Sequence, residues 1–228
     1  MDDQIKSKQR VADHGEVFTN EREVKAMCDL VADEVKKIES TVLEPACGEG
    51  NFLIEILTRK LKTVRELCEG NTDKYELYSV KAVSSLYGVD ILGDNVVICR
   101  QNLFDLWQDE YVQNIGKNPD EKLQQTVLHI LEVNIVRGNT LSTKLVDENT
   151  NDTDEPIVFS EWIFDDNGFV IREENRFDAM LESEETSPQL DLFGLLQNSY
   201  DKWKKDPMTG KYLPIVHDRI YFKEVGNG

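Results

Sequence analysis

One stretch constrains the fold more than any other part of the sequence: residues 43–53, which read "LEPACGEGNFL". It places Gly48 and Gly50 directly after a short β-prone run and directly before a long helix-prone one. Glycine permits a tight turn and a close approach of the backbone to a ligand, and the start of the next helix offers free N–H groups to an anion. The pattern is typical of a nucleotide-binding turn, although an ordinary tight strand-to-helix turn has the same glycines.

Strand and helix patterns alternate through the first part of the chain. Short β-prone runs predict strands, and apolar residues at helical spacing predict helices. The predicted strands are 41–44, 85–91 and 133–141, and the predicted helices are 20–38, 50–67, 93–107 and a broken stretch over 110–131. This alternation is typical of an α/β fold with parallel strands. The polar residues 68–82 are interpreted as a loop.

Beyond residue 141 the pattern changes. We interpret the acidic residues 146–156 as a surface loop. Residues 157–173 predict a β-hairpin, because two β-prone runs flank the favoured two-residue turn Asn167-Gly168. The remaining predictions are an ambiguous short element at 177–181, a helix at 189–204 and a strand or irregular tail at 210–222.

The chain is strongly acidic. Its 228 residues include 26 Lys and Arg against 44 Asp and Glu, which gives a formal net charge of −18. Because nucleic-acid binding depends largely on cations that meet phosphates, we do not expect this chain to bind DNA well by itself. The charge instead suits a basic partner, a small molecule or a protein that imitates a polyanion.

The sequence predicts neither a metal site nor a membrane segment. Its four cysteines and three histidines are widely spaced, without a pair at metal-ligand spacing. No apolar run approaches the length of a membrane helix, and the N-terminus lacks the apolar stretch of a secretory signal. We therefore expect a cytoplasmic protein with reduced thiols and no metal.

Polar side chains follow each of the three predicted strands. Glu44 ends the first strand, where a carboxylate would repel a pyrophosphate and attract a ligand amine. Residue 53 is Leu and no Gly-Lys-Ser/Thr follows, so the turn fits neither a dinucleotide nor a phosphate loop. Asp90 stands where an acidic residue binds ribose in doubly wound folds, or it is a capping or turn residue. Asn139 is either a hydrogen-bond partner for an adenine amino group or a turn residue.

Together these segments resemble the adenine-specific (N6) DNA methyltransferases of restriction–modification systems. "LEPACGEGNFL" is similar to their S-adenosylmethionine loop, which usually reads Asp/Glu-Pro-Ala-Cys-Gly-x-Gly-Asn/Ala-Phe-Leu. Three further segments match in the right order over residues 11–141: "GEVFTNEREV" at 15–24, with Asn20 in place of the usual proline, "LYGVDILGDNVVICRQNL" at 86–103, and "NIVRGNTL" at 134–141, with Asn139 in place of the usual Asp.

The resemblance implies the fold, the cofactor and the cofactor-binding residues. The implied fold is a class I methyltransferase (Rossmann-like) doubly wound sheet with a β-hairpin insertion, and the implied cofactor is S-adenosylmethionine. Residues 1–182 would form the cofactor-binding domain, with a helix and tail at 183–228 packed on it. By position, Phe18 and Thr19 would line the methionine end of the cofactor, and Glu44 would hold its amine. The turn would be formed by Ala46, Gly48 and Gly50. Asp90 would bind the ribose, Ile91 would pack on the adenine, and Asn139 would meet the adenine edge.

The catalytic segment of that family is missing from this sequence. It usually reads Asn/Asp-Pro-Pro-Tyr/Phe after a strand, and it presents a flipped adenine to the cofactor. "RFDAML" at 176–181 resembles the start of that strand, but "ESEETSPQL" follows it. The two candidate substitutes, Asn118-Pro119 and Asp206-Pro207, are interpreted as turns. The catalytic residues are therefore unknown, and the activity of the isolated chain is an open question.

Three functions remain open on these observations. The first is a cofactor-binding subunit of a split DNA adenine methyltransferase in a restriction–modification or related defence system, with a partner chain that supplies the catalytic segment and the DNA contacts. The second is a self-sufficient methyltransferase with an atypical catalytic segment near Trp162, Phe164 or Phe177. The third is a non-catalytic regulator with a methyltransferase fold, or an acidic DNA mimic. We favour the first, because it explains both the intact cofactor motifs and the missing catalytic one.

Overall fold

The computed structural model describes residues 20–164, 170–182 and 211–213. Within these ranges the helices are α1 (Glu21–Leu30), α2 (Ala32–Val35), α3 (Asn51–Cys68), α4 (Thr72–Ser84), α5 (Gly93–Ile115), α6 (Glu121–Asn134) and α7 (Phe177–Glu182). The strands are β1 (Val42–Glu44), β2 (Leu86–Asp90), β3 (Ile135–Asn139), β4 (Lys144–Val146), β5 (Asp152–Pro156), β6 (Val158–Phe164), β7 (Val170–Arg176) and β8 (Lys211–Leu213). No helix in these ranges is long and apolar enough to cross a membrane.

The central sheet has the order β1-β2-β3-β4-β5. Strands β1, β2 and β3 are parallel, and β4 and β5 continue the sheet in antiparallel fashion. Glu44 lies opposite Gly88, and Asp90 lies opposite Arg137, so the carboxyl ends of the parallel strands meet at one edge. The predicted α/β fold with a parallel core is confirmed.

The two faces of the central sheet carry different cores. Leu86 of β2 belongs to a large apolar cluster built with the helices, and within it the face of α3 that includes Leu53, Leu57 and Leu61 is fully buried. On the other face, Tyr87 and Val89 belong to a second, smaller cluster. This division follows from the strand geometry, because successive side chains of a strand point to opposite faces.

A second sheet covers that other face. Its order is β6-β7-β8, and all its pairs are antiparallel. Phe159 of β6 packs edge-to-face on Tyr87, with ring centroids 5.5 Å apart, and on Phe177, with centroids 5.3 Å apart. The Tyr87 hydroxyl also donates a hydrogen bond to the carbonyl of Ser160. Strands β6 and β7 pair in antiparallel fashion, and the turn of the predicted hairpin, Asn167-Gly168, lies outside the described residues.

One buried asparagine joins the second sheet to the first. The Trp162 indole Nε1 donates to Asn134 Oδ1 at 3.0 Å. The Asn134 amide in turn donates to the carbonyls of Ser84 and Leu86, each at 3.0 Å. Since every polar atom of this side chain has a partner, Asn134 fixes β6 relative to the start of β2 without an unsatisfied buried group.

One buried lysine fixes the segments that lead into β1 and β2. Lys60 of α3 is fully buried, and its ammonium donates to the carbonyls of Ile38 and Ser40 and to the hydroxyl of Ser85. Three acceptors satisfy the three N–H donors of an ammonium. The approaches to both strands are therefore held to the helix that begins at the glycine loop.

Two segments interpreted as loops are ordered elements. Residues 68–82 were expected to be a loop, yet α4 spans most of them, because Tyr75, Val80 and Val83 form a buried face among polar neighbours. Asn71 caps this helix through a hydrogen bond from the Lys74 N–H. Residues 146–156 contain the end of β4 and all of β5, whose acidic side chains point largely to solvent.

Two predicted helices have different ends in the structure. The predicted helix 20–38 is divided at Val31 into α1 and α2. Helix α5 continues to Ile115 and ends at Gly116, which has a φ of 78°. The expected break near "GKNPD" therefore lies between α5 and α6, and Asp120 caps α6 through a hydrogen bond from the Leu123 N–H. The predicted helix 189–204 lies outside the described residues.

Candidate functional site

The candidate site lies where the three parallel strands end. Glu44, Asp90 and Asn139 are the last residues of β1, β2 and β3. In open α/β sheets ligands bind outside the carboxyl ends of the strands. The strand-to-helix connections after β1 and β2 begin at this edge, so backbone N–H groups and carboxylates are available in one place.

The glycine loop, residues 45–50, connects β1 to α3. Gly48 and Gly50 have φ angles of 53° and 92°, in the left-handed region that favours glycine. The Gly50 N–H donates to the Cys47 carbonyl at 2.8 Å and closes the turn. A Cβ at Gly50 would lie 2.7 Å from Cys99 Sγ, whereas one at Gly48 would meet nothing within 4 Å. Position 50 therefore requires glycine because of its positive φ and because a side chain would collide with Cys99. Position 48 requires glycine because of its positive φ alone.

Asp90 holds two strand-to-helix connections together. Its Oδ2 accepts a hydrogen bond from the Gly48 N–H at 2.9 Å, and its Oδ1 accepts one from the Leu92 N–H at 2.8 Å. This is the turn function that the sequence allowed. The Asn95 amide also donates to Oδ1, at 3.4 Å. An ionised carboxylate has about four acceptor positions, so this side chain retains capacity for about one further donor, such as a ribose hydroxyl. The ribose role stays a prediction that the geometry permits.

Glu44 is half-buried at the end of β1, and burial raises the pKa of its carboxyl above the ordinary value. A hydrogen bond from the Ala46 N–H opposes this rise in the pKa. A carboxylate that has lost part of its hydration is stabilised by a cation placed beside it. The predicted role of Glu44 as the partner of a ligand amine is compatible with this environment and stays a prediction.

Two further side chains hold the glycine loop from outside. The Thr140 hydroxyl donates to the Pro45 carbonyl at 2.6 Å, and the Asn102 amide donates to the Glu49 carbonyl at 3.0 Å. Sequence reasoning did not single out either residue. Thr140 lies 95 positions from its partner and Asn102 lies 53 positions from its partner, so no local pattern connects them.

The Asn139 side chain is engaged in its own turn. Its Nδ2 donates to Asp152 Oδ1 at 3.0 Å, and its Oδ1 accepts from the Leu141 N–H at 3.1 Å. This arrangement matches the turn interpretation. Contact with an adenine amino group would require the Oδ1 to take a second donor or to exchange the first, and that role stays a prediction.

The other predicted cofactor contacts are placed as follows. Ala46 is exposed on the glycine loop. Ile91 is half-buried directly after β2, and its carbonyl accepts a hydrogen bond from Arg137 Nε at 3.3 Å. Phe18 and Thr19 lie outside the described residues. Asn20, which stands where the resembling enzymes have proline, caps α1 by accepting a hydrogen bond from the Arg22 N–H.

The cysteines beneath the loop provide packing. Cys47 and Cys99 are both buried and free. A hydrogen bond between these two thiols, together with burial, raises the pKa of Cys47 far above its usual range, so the thiol stays protonated. In the described ranges no group of three or more His, Cys, Asp and Glu residues is arranged to hold a metal ion.

The aromatic residues near the predicted hairpin are occupied by packing. Trp162 is buried and bonded to Asn134, with the Arg172 guanidinium 5.8 Å from its ring centroid. Phe177 lies in the smaller apolar cluster, and Phe164 packs against the larger one. The rings of Trp162 and Phe177 are therefore buried in packing, whereas Phe164 is half-buried.

Comparison with known families agrees with the geometry. A sequence model of the family described as N-6 DNA Methylase matches residues 6–155, which is more than half of the chain. The chain therefore belongs to the N-6 DNA methylase family, and its mixed α/β fold with a mostly parallel central sheet is consistent with a methyltransferase fold. Neither a search of curated proteins nor a search of solved structures found a match.

Proposed function

We propose that this chain binds S-adenosylmethionine at the carboxyl edge of β1, β2 and β3, and that it is the cofactor-binding subunit of a DNA adenine N6-methyltransferase. The enzyme would belong to a restriction–modification or related defence system. One observation carries the proposal: a chain of the N-6 DNA methylase family has an ordered glycine loop clamped by Asp90, while its sequence lacks the Asn/Asp-Pro-Pro-aromatic segment.

The charges at this edge fit the proposed cofactor. S-adenosylmethionine supplies a methyl group on a sulfonium centre and also carries an amine, a carboxylate and a ribose. Glu44 would hold the amine, and Asp90 would accept a hydrogen bond from a ribose hydroxyl. The first turn of α3 carries N–H groups without partners in the helix, which suit the carboxylate. Two acidic side chains on the protein favour the cationic part of the ligand.

The sheet order supports a partner chain. In a doubly wound sheet of order 3-2-1-4-5-6, the ligand crevice lies where the strand order reverses, beside strand 1. Among the described residues β1 pairs only with β2. The order β3-β2-β1 therefore corresponds to the 3-2-1 half of such a sheet. A partner that adds a strand beside β1 would complete the crevice and place its catalytic segment next to the cofactor.

The charge and the aromatic residues favour the subunit over a self-sufficient enzyme. A net charge of −18 opposes direct binding of DNA, so we propose that DNA is reached through the partner. Trp162 and Phe177, where an atypical base pocket was considered, are buried in packing. Methyl transfer from labelled S-adenosylmethionine to DNA by the purified chain alone would contradict the subunit proposal and support the self-sufficient alternative.

Calorimetric titration tests the cofactor part of the proposal. S-adenosylmethionine titrated into the purified chain is expected to bind with a micromolar dissociation constant. Asp90→Ala should lose this binding, since it removes both the ribose acceptor and the clamp on Gly48. Asp154→Ala, which removes an exposed carboxylate on β5, is the matched control and should bind normally. A folded wild-type chain without measurable binding would contradict the proposal.

A further inference from the structure

The peptide group between Glu49 and Gly50 is held at both ends by hydrogen bonds. Its carbonyl oxygen, on Glu49, accepts from the Asn102 amide of α5 at 3.0 Å. Its N–H, on Gly50, donates to the Cys47 carbonyl at 2.8 Å. A trans peptide group is planar, so its C=O and N–H point in opposite directions and turn together. The Asn102 bond therefore helps to keep the Gly50 N–H aimed at Cys47.

The peptide group between Cys47 and Gly48 is held in the same way. Its carbonyl oxygen, on Cys47, accepts the bond from the Gly50 N–H, and its N–H, on Gly48, donates to Asp90 Oδ2 at 2.9 Å. We call this series the loop network: the Asn102 amide, the two peptide groups and the Asp90 carboxylate. Hydrogen bonds in series polarise and strengthen one another. Removing the donor at one end is therefore expected to weaken the bond at the other end.

Glycine leaves the direction of both peptide groups weakly constrained by the backbone. A peptide group turns through the φ of the residue that carries its N–H, and that residue is Gly48 in one group and Gly50 in the other. Both φ angles are positive, and glycine adopts positive and negative φ with similar ease. The direction of each N–H therefore depends on the hydrogen bonds at the ends of the loop network.

One face of α5 supports the loop network. Asn95, Cys99 and Asn102 are four and three residues apart, a spacing that places them on one side of a helix. Asn95 donates to Asp90 Oδ1 at 3.4 Å, and Cys99 Sγ occupies the space that a Cβ at Gly50 would need. The same helix face therefore contacts the carboxylate directly and supplies the donor at the far end of the loop network.

We propose that Asn102 is a positioning residue that orients the Asp90 carboxylate through the loop network. The inference rests on the proposed function, because Asp90 is taken there to accept a hydrogen bond from the ribose of S-adenosylmethionine. Asn102 acts through the loop backbone rather than by contact with the ligand. It keeps the Gly48 N–H on one carboxylate oxygen before the ligand arrives, so that the remaining acceptor position is in place for a ribose hydroxyl.

The chain offers matched variants for a test. Asn102→Leu keeps the approximate size of the side chain and removes the donor, and Asn102→Ala removes the donor without adding a larger apolar group. Asn114→Leu is the control. Asn114 is also half-buried on α5, and its amide donates to a backbone carbonyl, that of Glu110 at 2.6 Å, near the C-terminal end of the helix. Circular dichroism first establishes that each variant is folded.

Amide NMR of the free chain is the first readout, and it does not depend on the cofactor. In both Asn102 variants the Gly48 amide, as well as the Gly50 amide, should exchange with solvent several-fold faster than in the wild type. The Gly48 amide proton should also move upfield, because its hydrogen bond to a carboxylate weakens. Asn114→Leu should change neither signal. A change confined to Gly50, or no change at all, would overturn the inference.

Binding of two nucleosides is the second readout. Adenosine carries the ribose hydroxyls, and 2′,3′-dideoxyadenosine lacks them. Asn102→Leu should weaken adenosine binding about three- to tenfold, the usual worth of one hydrogen bond, and should leave dideoxyadenosine binding unchanged. Equal losses for the two nucleosides would overturn the inference, because Asn102 would then act on the site without acting through Asp90. If the wild-type chain binds neither S-adenosylmethionine nor adenosine, the proposed function fails, and the amide measurement alone decides whether Asn102 acts on the Gly48–Asp90 bond.

Discussion

The carboxyl end of β2 and one of its faces adjoin two regions that are stabilised in different ways. The glycine loop, beside the carboxyl end of β2, is held by one hydrogen bond to Asp90 and by one each from Thr140 and Asn102, and part of the loop is exposed. The second sheet is held by buried aromatic packing around Phe159 and by the Trp162 anchor. The difference separates ligand binding from folding: one region keeps polar groups available, and the other uses its large side chains for stability.

The largest expected effect is at the anchor of the second sheet. Trp162→Ala should lower the free energy of unfolding by about 3–5 kcal/mol, because it removes a buried aromatic ring. Trp162→Phe should lose less, about 1–3 kcal/mol, since it keeps most of the packing but leaves the Asn134 oxygen without its donor. Urea denaturation measures both. If a folded Trp162 variant bound S-adenosylmethionine more than about twofold more weakly than the wild type, the second sheet and the glycine loop would be energetically coupled.

The second effect concerns the glycine loop. Gly50→Ala should destabilise the chain by about 2–4 kcal/mol and abolish cofactor binding, because it combines a positive φ with a Cβ 2.7 Å from Cys99 Sγ. Gly70→Ala is the control: its φ is 81°, and nothing lies within 4 Å of the added Cβ, so it should lose only about 1 kcal/mol.

Removing the crowded sulfur sharpens this prediction. Cys99→Ala in the Gly50→Ala background should recover part of the lost stability, so the effects of the two changes should not add. Thermal denaturation of the four variants in the cycle measures the recovery. Strict additivity would mean that the close approach of the loop to α5 does not limit residue 50.

The third prediction is that one substitution, Glu44→Gln, stabilises the free chain but weakens cofactor binding. Since burial raises the pKa of Glu44 above its ordinary value of 4.5, its contribution to stability is fully present below that pH and is lost as the pH rises through the raised value. Glu44→Gln should therefore raise the melting temperature of the free chain at pH 7. It should also weaken binding of S-adenosylmethionine about ten- to a hundredfold, because it removes the charged partner of the amine.

A pH series separates the charge from the shape of this side chain. Wild-type affinity should fall as the pH decreases through the raised pKa of Glu44, and the Glu44→Gln chain should lack that part of the pH dependence. Glu66→Gln, which removes an exposed carboxylate from α3, is the control and should change neither property. A Glu44→Gln chain that bound the cofactor like the wild type would remove Glu44 from the site.

The smallest effect concerns the residue that differs from the usual Asp. Asn139→Asp would place a second carboxylate beside Asp152, whose Oδ1 now accepts a hydrogen bond 3.0 Å from the asparagine amide. Both groups are near the surface, so the loss of stability should be about 0.5 kcal/mol, and adding Asp152→Asn should reverse it. Denaturation of the single and double variants measures this. A stabilising single change would contradict the expected repulsion between carboxylates at positions 139 and 152.

Local patterns predicted the part of the site that is contiguous in sequence. The β-prone run, the paired glycines and the apolar face of α3 indicated the strand, the turn and the helix that the structure contains. Asp90 was also placed correctly at the end of β2. Each of these features depends on neighbours within a few residues, which is the range over which periodicity and turn composition carry information.

Contacts between distant segments could not be predicted in the same way. The bonds from Thr140 to Pro45 and from Asn102 to Glu49 exist only after the strands and helices have packed. Helix α4 was missed for a related reason: its polar residues obscure a face that becomes apolar core only against α3 and α6. The turn of Asn139 also depends on Asp152, which comes into reach through the β3–β4–β5 order.

Backbone amide chemical shifts in a titration with S-adenosylmethionine would test the central claim most directly. We expect shifts for Gly48, Gly50 and the residues directly after Asp90, and little change along β6 and β7. Shifts concentrated on β6 and β7, or no shifts in a folded chain, would contradict the claim that the carboxyl edge of the parallel strands is the cofactor site.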